Sequence, residues 1–71
     1  MKLVPVSSSV LASVGYDPRK RWLVTEFKKT GRIYRYLDVP ADLHTALMDA
    51  ASKGGFYNAY IRDDFRFVRL K

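Results

Sequence analysis

Two strand-forming runs, residues 21–28 and 32–37, flank a Lys29-Thr30-Gly31 step, and this spacing commits the middle of the chain to a β-hairpin. Trp22, Leu23, Val24, Thr25 and Phe27 give the first arm its β-branched and aromatic side chains. Gly31 supplies the positive φ that a tight connection needs. The returning arm carries Tyr34-Arg35-Tyr36. Alternation at the period of a strand sends the two rings to one face and the guanidinium to the other.

The loop decides which face is which. An even-numbered loop around Thr30-Gly31 pairs Phe27 with Tyr34 and Thr25 with Tyr36. Leu23, Thr25, Phe27, Tyr34 and Tyr36 then share one face. Trp22, Val24, Glu26, Lys28, Ile33, Arg35 and Leu37 share the other, with Glu26 opposite Arg35 as a favourable cross-strand pair. A three-residue loop with a glycine bulge instead puts Phe27 opposite Ile33. The even loop gives the cleaner apolar face and is the expected register, with the tyrosine rings beneath the helices and Arg35 toward solvent.

The flanking segments complete an α+β domain. Residues 10–16 read as a strand ending at Gly15-Tyr16-Asp17-Pro18, where the proline disfavours helix just before it. Val39-Pro40 opens a helix, and Leu43, Ala46, Leu47, Ala50 and Ala51 recur at helical spacing along it. Gly54 and Gly55 are expected to stop that helix. Phe56, Tyr57, Tyr60 and Ile61 mark a second helix over residues 56–63, which Ser52 can cap. Phe65-Arg66-Phe67 alternates as an edge strand would. The expected fold is a small antiparallel sheet, a three-stranded meander with a candidate fourth C-terminal strand, packed on one face by two helices. At 71 residues, 1–71 forms a single domain.

Charge is distributed unevenly. Residues 19–37 hold Arg19, Lys20, Arg21, Lys28, Lys29, Arg32 and Arg35 against Glu26 alone, a net +6 that equals the whole-chain total. The helical segment is acidic and the tail basic again, through Arg66, Arg69 and Lys71. Such polarity steers an anionic partner to one side. The chain has no cysteine, which removes disulfides, a thiolate nucleophile and cysteine-ligated metal sites, and suits the cytoplasm. Pro5 and Ser7-Ser8-Ser9 interrupt the apolar N-terminal stretch, so a secretory leader is not expected. No run approaches the ~20 apolar residues of a membrane span.

Aromatics among arginines on a sheet suit nucleic acid, since rings stack on bases while guanidinium groups meet phosphates. The candidate phosphate contacts are the seven basic residues just named. Trp22, Tyr34 and Tyr36 are the candidate stacking residues, although the expected register favours the two tyrosines as core residues with polar tips. Asn58 can bond its own backbone or read a base. Chemistry is poorly served. His44 is the sole histidine and has no second histidine at metal-binding spacing. Asp63 and Asp64 diverge on a helix, and Gly54-Gly55 lacks the patterns of phosphate-binding loops.

Several of these residues, in order, carry a family likeness: Ser8-Ser9, Gly15-Tyr16-Asp17, Leu23 with Phe27, Gly31, Tyr34-Arg35-Tyr36, Val39-Pro40, and Ala50, Ser52, Gly54, Asn58 and Ile61-Arg62. On them the chain resembles the KTSC domain, a short module found at the C-terminus of some lysyl-tRNA synthetases and as a stand-alone bacterial protein. Lys28-Lys29-Thr30 departs from the family's tighter turn. The resemblance implies an RNA-binding role and brings no catalytic residues. The expected function is thus a non-enzymatic module, without cofactor or metal, that binds RNA or single-stranded nucleic acid through its basic hairpin. The alternative is a protein-interaction module using Trp22, Val24, Ile33 and Leu37 on the outer sheet face. Either would act as a monomer or weak dimer away from membranes.

Overall fold

The computed structural model describes residues 2–71. Five strands form one antiparallel sheet in chain order: β1 (Val4–Pro5), β2 (Leu11–Asp17), β3 (Trp22–Phe27), β4 (Ile33–Tyr36) and β5 (Phe67–Arg69). Helices α1 (Ala41–Asp49) and α2 (Lys53–Tyr60) lie between β4 and β5 in sequence. The α+β class is as expected, and the C-terminal strand is present as β5. The added element is β1, too short and proline-bearing to show a strand pattern; its pairing of Val4 with Val14 and Pro5 with Ser13 defines it.

One core joins sheet and helices. Leu11, Val14, Leu23 and Tyr36 from the strands meet Val39 from the linker, Leu47 from α1, and Tyr57 and Ile61 beside and within α2. Both expected tyrosines fall on this inner face, because the loop is even. It holds four residues, however, not two. The Phe27 amide donates to the Arg32 carbonyl (3.0 Å), the Gly31 amide donates to the Phe27 carbonyl (2.9 Å), and Gly31 sits at φ 70°. Thr30 Oγ1 accepts from the Arg32 amide (3.2 Å) and tightens the same turn. Pairing therefore slides by two residues: Thr25 faces Tyr34, Val24 faces Arg35 and Glu26 faces Ile33. A two-residue slide preserves side-chain faces while changing every partner. The Glu26–Arg35 pair is not formed, and Glu26 instead accepts a hydrogen bond from Ser13 (2.7 Å).

The helices also sit differently from the sequence stripe. In α1 the half-buried Leu43, His44 and Met48 flank the fully buried Leu47, whereas Ala46 and Ala51 are exposed. Bulk decides this, since Leu, Met and His cover more apolar surface than alanine. The His44 ring stacks on Tyr16 (centroids 4.7 Å apart, planes 9°), and the Tyr16 hydroxyl donates to the Val39 carbonyl (2.6 Å). Burial pushes the His44 pKa below its ordinary value. The unfolded chain therefore takes up the proton more readily than the folded one. Stability is full above the unfolded pKa of about 6.5 and declines as pH falls below it. Urea midpoints measured from pH 7.5 to 5.5 should fall for the wild type and fall less for His44→Gln; parallel curves would rule this out.

Gly54 and Gly55 do not stop α1, which ends at Asp49 where Ala50 turns extended. They lie in the first turn of α2, capped by Ser52 Oγ, which accepts from the Gly55 amide (3.1 Å). The reason for glycine is the close approach of Val10. A Cβ on Gly54 would lie 2.6 Å from Val10 Cγ2 and 2.9 Å from Val10 Cβ. Rotating the valine relieves the first clash only, because its Cβ is fixed to the backbone. Overpacking of this kind costs about 1–3 kcal/mol, against about 1 kcal/mol of helix propensity gained by alanine. Gly54→Ala is expected to lower stability by roughly 1 kcal/mol. The loss should shrink in a Val10→Ala background, and a purely additive double-mutant cycle would contradict the contact.

Candidate nucleic-acid interface

β3 separates the basic residues into two ends. Arg19, Lys20 and Arg21 are exposed on the β2–β3 loop, whereas Lys28, Lys29 and Arg32 are exposed at the β3–β4 loop. Five residue steps of strand, about 17 Å, lie between them. Arg35 belongs to neither end. It lies on the outer sheet face opposite Val24 and Val68.

The first end is closed on itself. Asp17 Oδ1 accepts from the Arg19 and Lys20 amides (3.0 and 3.2 Å), which fixes the loop, and Arg21 closes it at φ 59°. The Trp22 ring carries the Lys20 ammonium at 4.5 Å and the Arg35 guanidinium at 3.9 Å from its centroid. A base reaching Trp22 must displace one of these cations. The outer face also offers less apolar surface than expected: Val24 is only 4% exposed, and Trp22, Ile33 and Leu37 are half-buried.

The second end is open. A groove of about 460 Å³ lies between the β3–β4 loop, the segment leading into β2, and α2. Phe27, Tyr34 and Tyr57 supply its aromatic wall, and Lys29, Arg32 and Arg62 its positive charge. Ser9, Thr30 and Asn58 add polar groups, and no acidic residue lines it. Among the described residues the one ion pair within 4 Å is Arg66–Asp38, so these groove cations have no internal carboxylate partner.

The two tyrosines of the central motif part company here. Tyr36 is 2% exposed, and its hydroxyl hydrogen-bonds that of Tyr57. Burial, followed by that bond, pushes Tyr36 far above the ordinary tyrosine range, and burial also raises Tyr57. Both stay neutral. With no free face, Tyr36 is a core residue and leaves the stacking set. Tyr34 is half-buried and lines the groove, its ring edge-on to Phe27 (5.6 Å) and tilted against Phe67 (5.3 Å).

Arg62 and Ser9 were not among the expected contacts, and Asn58 was only a minor candidate. A signal for two of them exists in the spacing Gly54, Asn58, Arg62, which repeats every four residues and so follows one helical face. Gly54 brings that face against Val10, and Asn58 and Arg62 reach the groove from there. His44 lies on α1 in its stack with Tyr16 and takes no part in the groove. Among the described residues no three His, Asp, Glu or Cys side chains cluster as metal ligands would, and no helix is long and apolar enough to cross a membrane.

Comparison with known proteins matches residues 7–65 to the model of the KTSC domain. An uncharacterized protein of Stutzerimonas stutzeri is 39% identical, with 99% of each chain covered. A lysine–tRNA ligase of Nostoc punctiforme is 32% identical over 96% of this chain, which spans only 12% of that enzyme. The crystal structure of a KTSC domain protein from Yersinia pestis superimposes with a TM-score of 0.94 at 40% identity, covering 99% of this chain and 97% of that one.

Proposed function

The chain belongs to the KTSC domain family, and within it we propose a non-enzymatic module that binds RNA or other single-stranded nucleic acid at the β3–β4 end of its sheet. The observation that carries this reading is the convergence of three cations without carboxylate partners, an aromatic wall and one amide on a single groove. Cations track a phosphate backbone, and rings accept unstacked bases without demanding a sequence. Lys28, beside the groove on the same loop, adds to the field. Arg19, Lys20, Arg21 and Arg35 offer further positive charge along a bound strand. The fusion of a similar domain to a lysine–tRNA ligase places one relative in a protein named for tRNA.

Several features support a binding role over catalysis. The groove holds no carboxylate or histidine to act as a base, and of its two tyrosines Tyr57 has its hydroxyl held in a buried pair and kept neutral. The proposed setting is the cytoplasm, with no cofactor.

Capture from lysate with and without nuclease, identifying both protein and nucleic acid, tests the class directly. Recovery of RNA, lost with nuclease, is expected. Retention of one protein after nuclease treatment, with no RNA before it, would instead favour a protein-interaction module.

A further inference from the structure

We infer that the groove is a single-nucleotide pocket: it takes one unstacked nucleotide of the bound strand, base inward and phosphate at the rim. This rests on the nucleic-acid reading above and specifies how that site works. Its volume, about 460 Å³, falls within the roughly 300–1,000 Å³ of small-ligand sites, and three structural elements border it while one side stays open to solvent. A flat sheet platform would stack several successive bases; a concavity of this size holds one. The sheet face that could serve as a platform is unavailable here, because the helices cover it and Tyr36 is buried beneath them.

The lining is sorted to match a nucleotide. Phe27 and Tyr34 present apolar ring surface on the sheet side. Asn58 stands on α2 across from them, with an amide that both donates and accepts, as a base edge requires. Lys29, Arg32 and Arg62 stand around the same groove, Arg32 and Arg62 being able to fork onto phosphate oxygens. The absence of an acidic lining residue suits a phosphorylated ligand and disfavours a cationic one. Asn58 and Arg62 therefore have different assignments. Asn58 recognises the base, and Arg62 the phosphate.

The test uses two strands of equal length and charge, a mixed-sequence RNA heptamer and an abasic ribose-phosphate heptamer. Wild type should bind the base-bearing strand roughly tenfold more tightly, the order of one stacked base. Asn58→Ala, an exposed helical position that tolerates alanine, should weaken the base-bearing strand and leave the abasic strand unchanged. Arg62→Ala should weaken both equally. Equal wild-type binding of the two strands would overturn the pocket while leaving a phosphate-binding module intact. Discrimination left undiminished by Asn58→Ala would also overturn it, because the base would then not meet the Asn58 amide across from the Phe27 and Tyr34 rings. Failure of both strands to bind would remove the nucleic-acid reading and the pocket together.

Discussion

Replacing Lys28, Lys29 and Arg32 together by alanine is expected to weaken RNA binding by roughly two to three orders of magnitude near 50 mM salt. The estimate follows from counterion release. Each phosphate neutralised on a single strand contributes about 0.7 to the slope of log affinity against log salt. Three lost contacts flatten that slope by about 2, and the effect grows as salt is lowered. All three side chains are exposed on one four-residue loop or at its exit, and none is engaged by a carboxylate, so their removal should not disturb the fold. Gly31 and the Thr30 hydroxyl, which shape the turn, remain in place. Fluorescence anisotropy across a salt series measures both quantities. An unchanged slope would mean that the strand does not follow this loop.

Leu47→Ala carries the largest expected loss of stability. Leu47 is the one fully buried residue of α1, at 0% exposure, and the helix's other contacts with the body of the domain come from the half-buried Leu43, His44 and Met48. Its N-cap, Pro40, offers no side-chain hydrogen bond, no basic residue occupies its last turn, and nine residues are too few for a helix to persist in isolation. Leucine-to-alanine changes in cores cost about 2–5 kcal/mol. A domain of this length has roughly 4–10 kcal/mol to lose. Urea unfolding should show the variant losing at least about 2 kcal/mol. Ala46→Gln on the same helix should change stability by about 0.5 kcal/mol or less, because Ala46 is exposed. The reverse order would mean that Ala46 rather than Leu47 is the inward member of the stripe read from sequence.

That stripe shows where sequence reading ends. Helical spacing announced α1 correctly, but Ala46 and Leu47 are adjacent, and only the packed sheet decides which of them turns inward. The hairpin illustrates a different limit. Parity alone fixed the faces of Tyr34, Arg35 and Tyr36, so the burial of Tyr36 was legible. Their cross-strand partners depended on the length of the loop, which is set by Gly31 as the fourth loop residue and by the Thr30 hydroxyl. Charge clustering located the basic hairpin and set Arg19–Arg21 and Lys28–Arg32 at its two ends, but it did not show which end carries a groove. Arg62 was obscured for a related reason: in sequence it sits beside Asp63 and Asp64 and reads as part of the acidic segment. The approach of Gly54 to Val10 is what brings Arg62 and Asn58 to the hairpin.

The β3–β4 end of the sheet is the proposed binding surface for single-stranded nucleic acid. Titration of the ¹⁵N-labelled domain with an RNA heptamer at about 50 mM salt, followed by amide and side-chain NMR shifts, tests it most directly. Saturable, salt-sensitive changes are expected around Lys29, Arg32, Tyr34, Asn58 and Arg62, with smaller ones at Arg19–Arg21. No change at millimolar RNA, or changes centred on α1, would contradict the account.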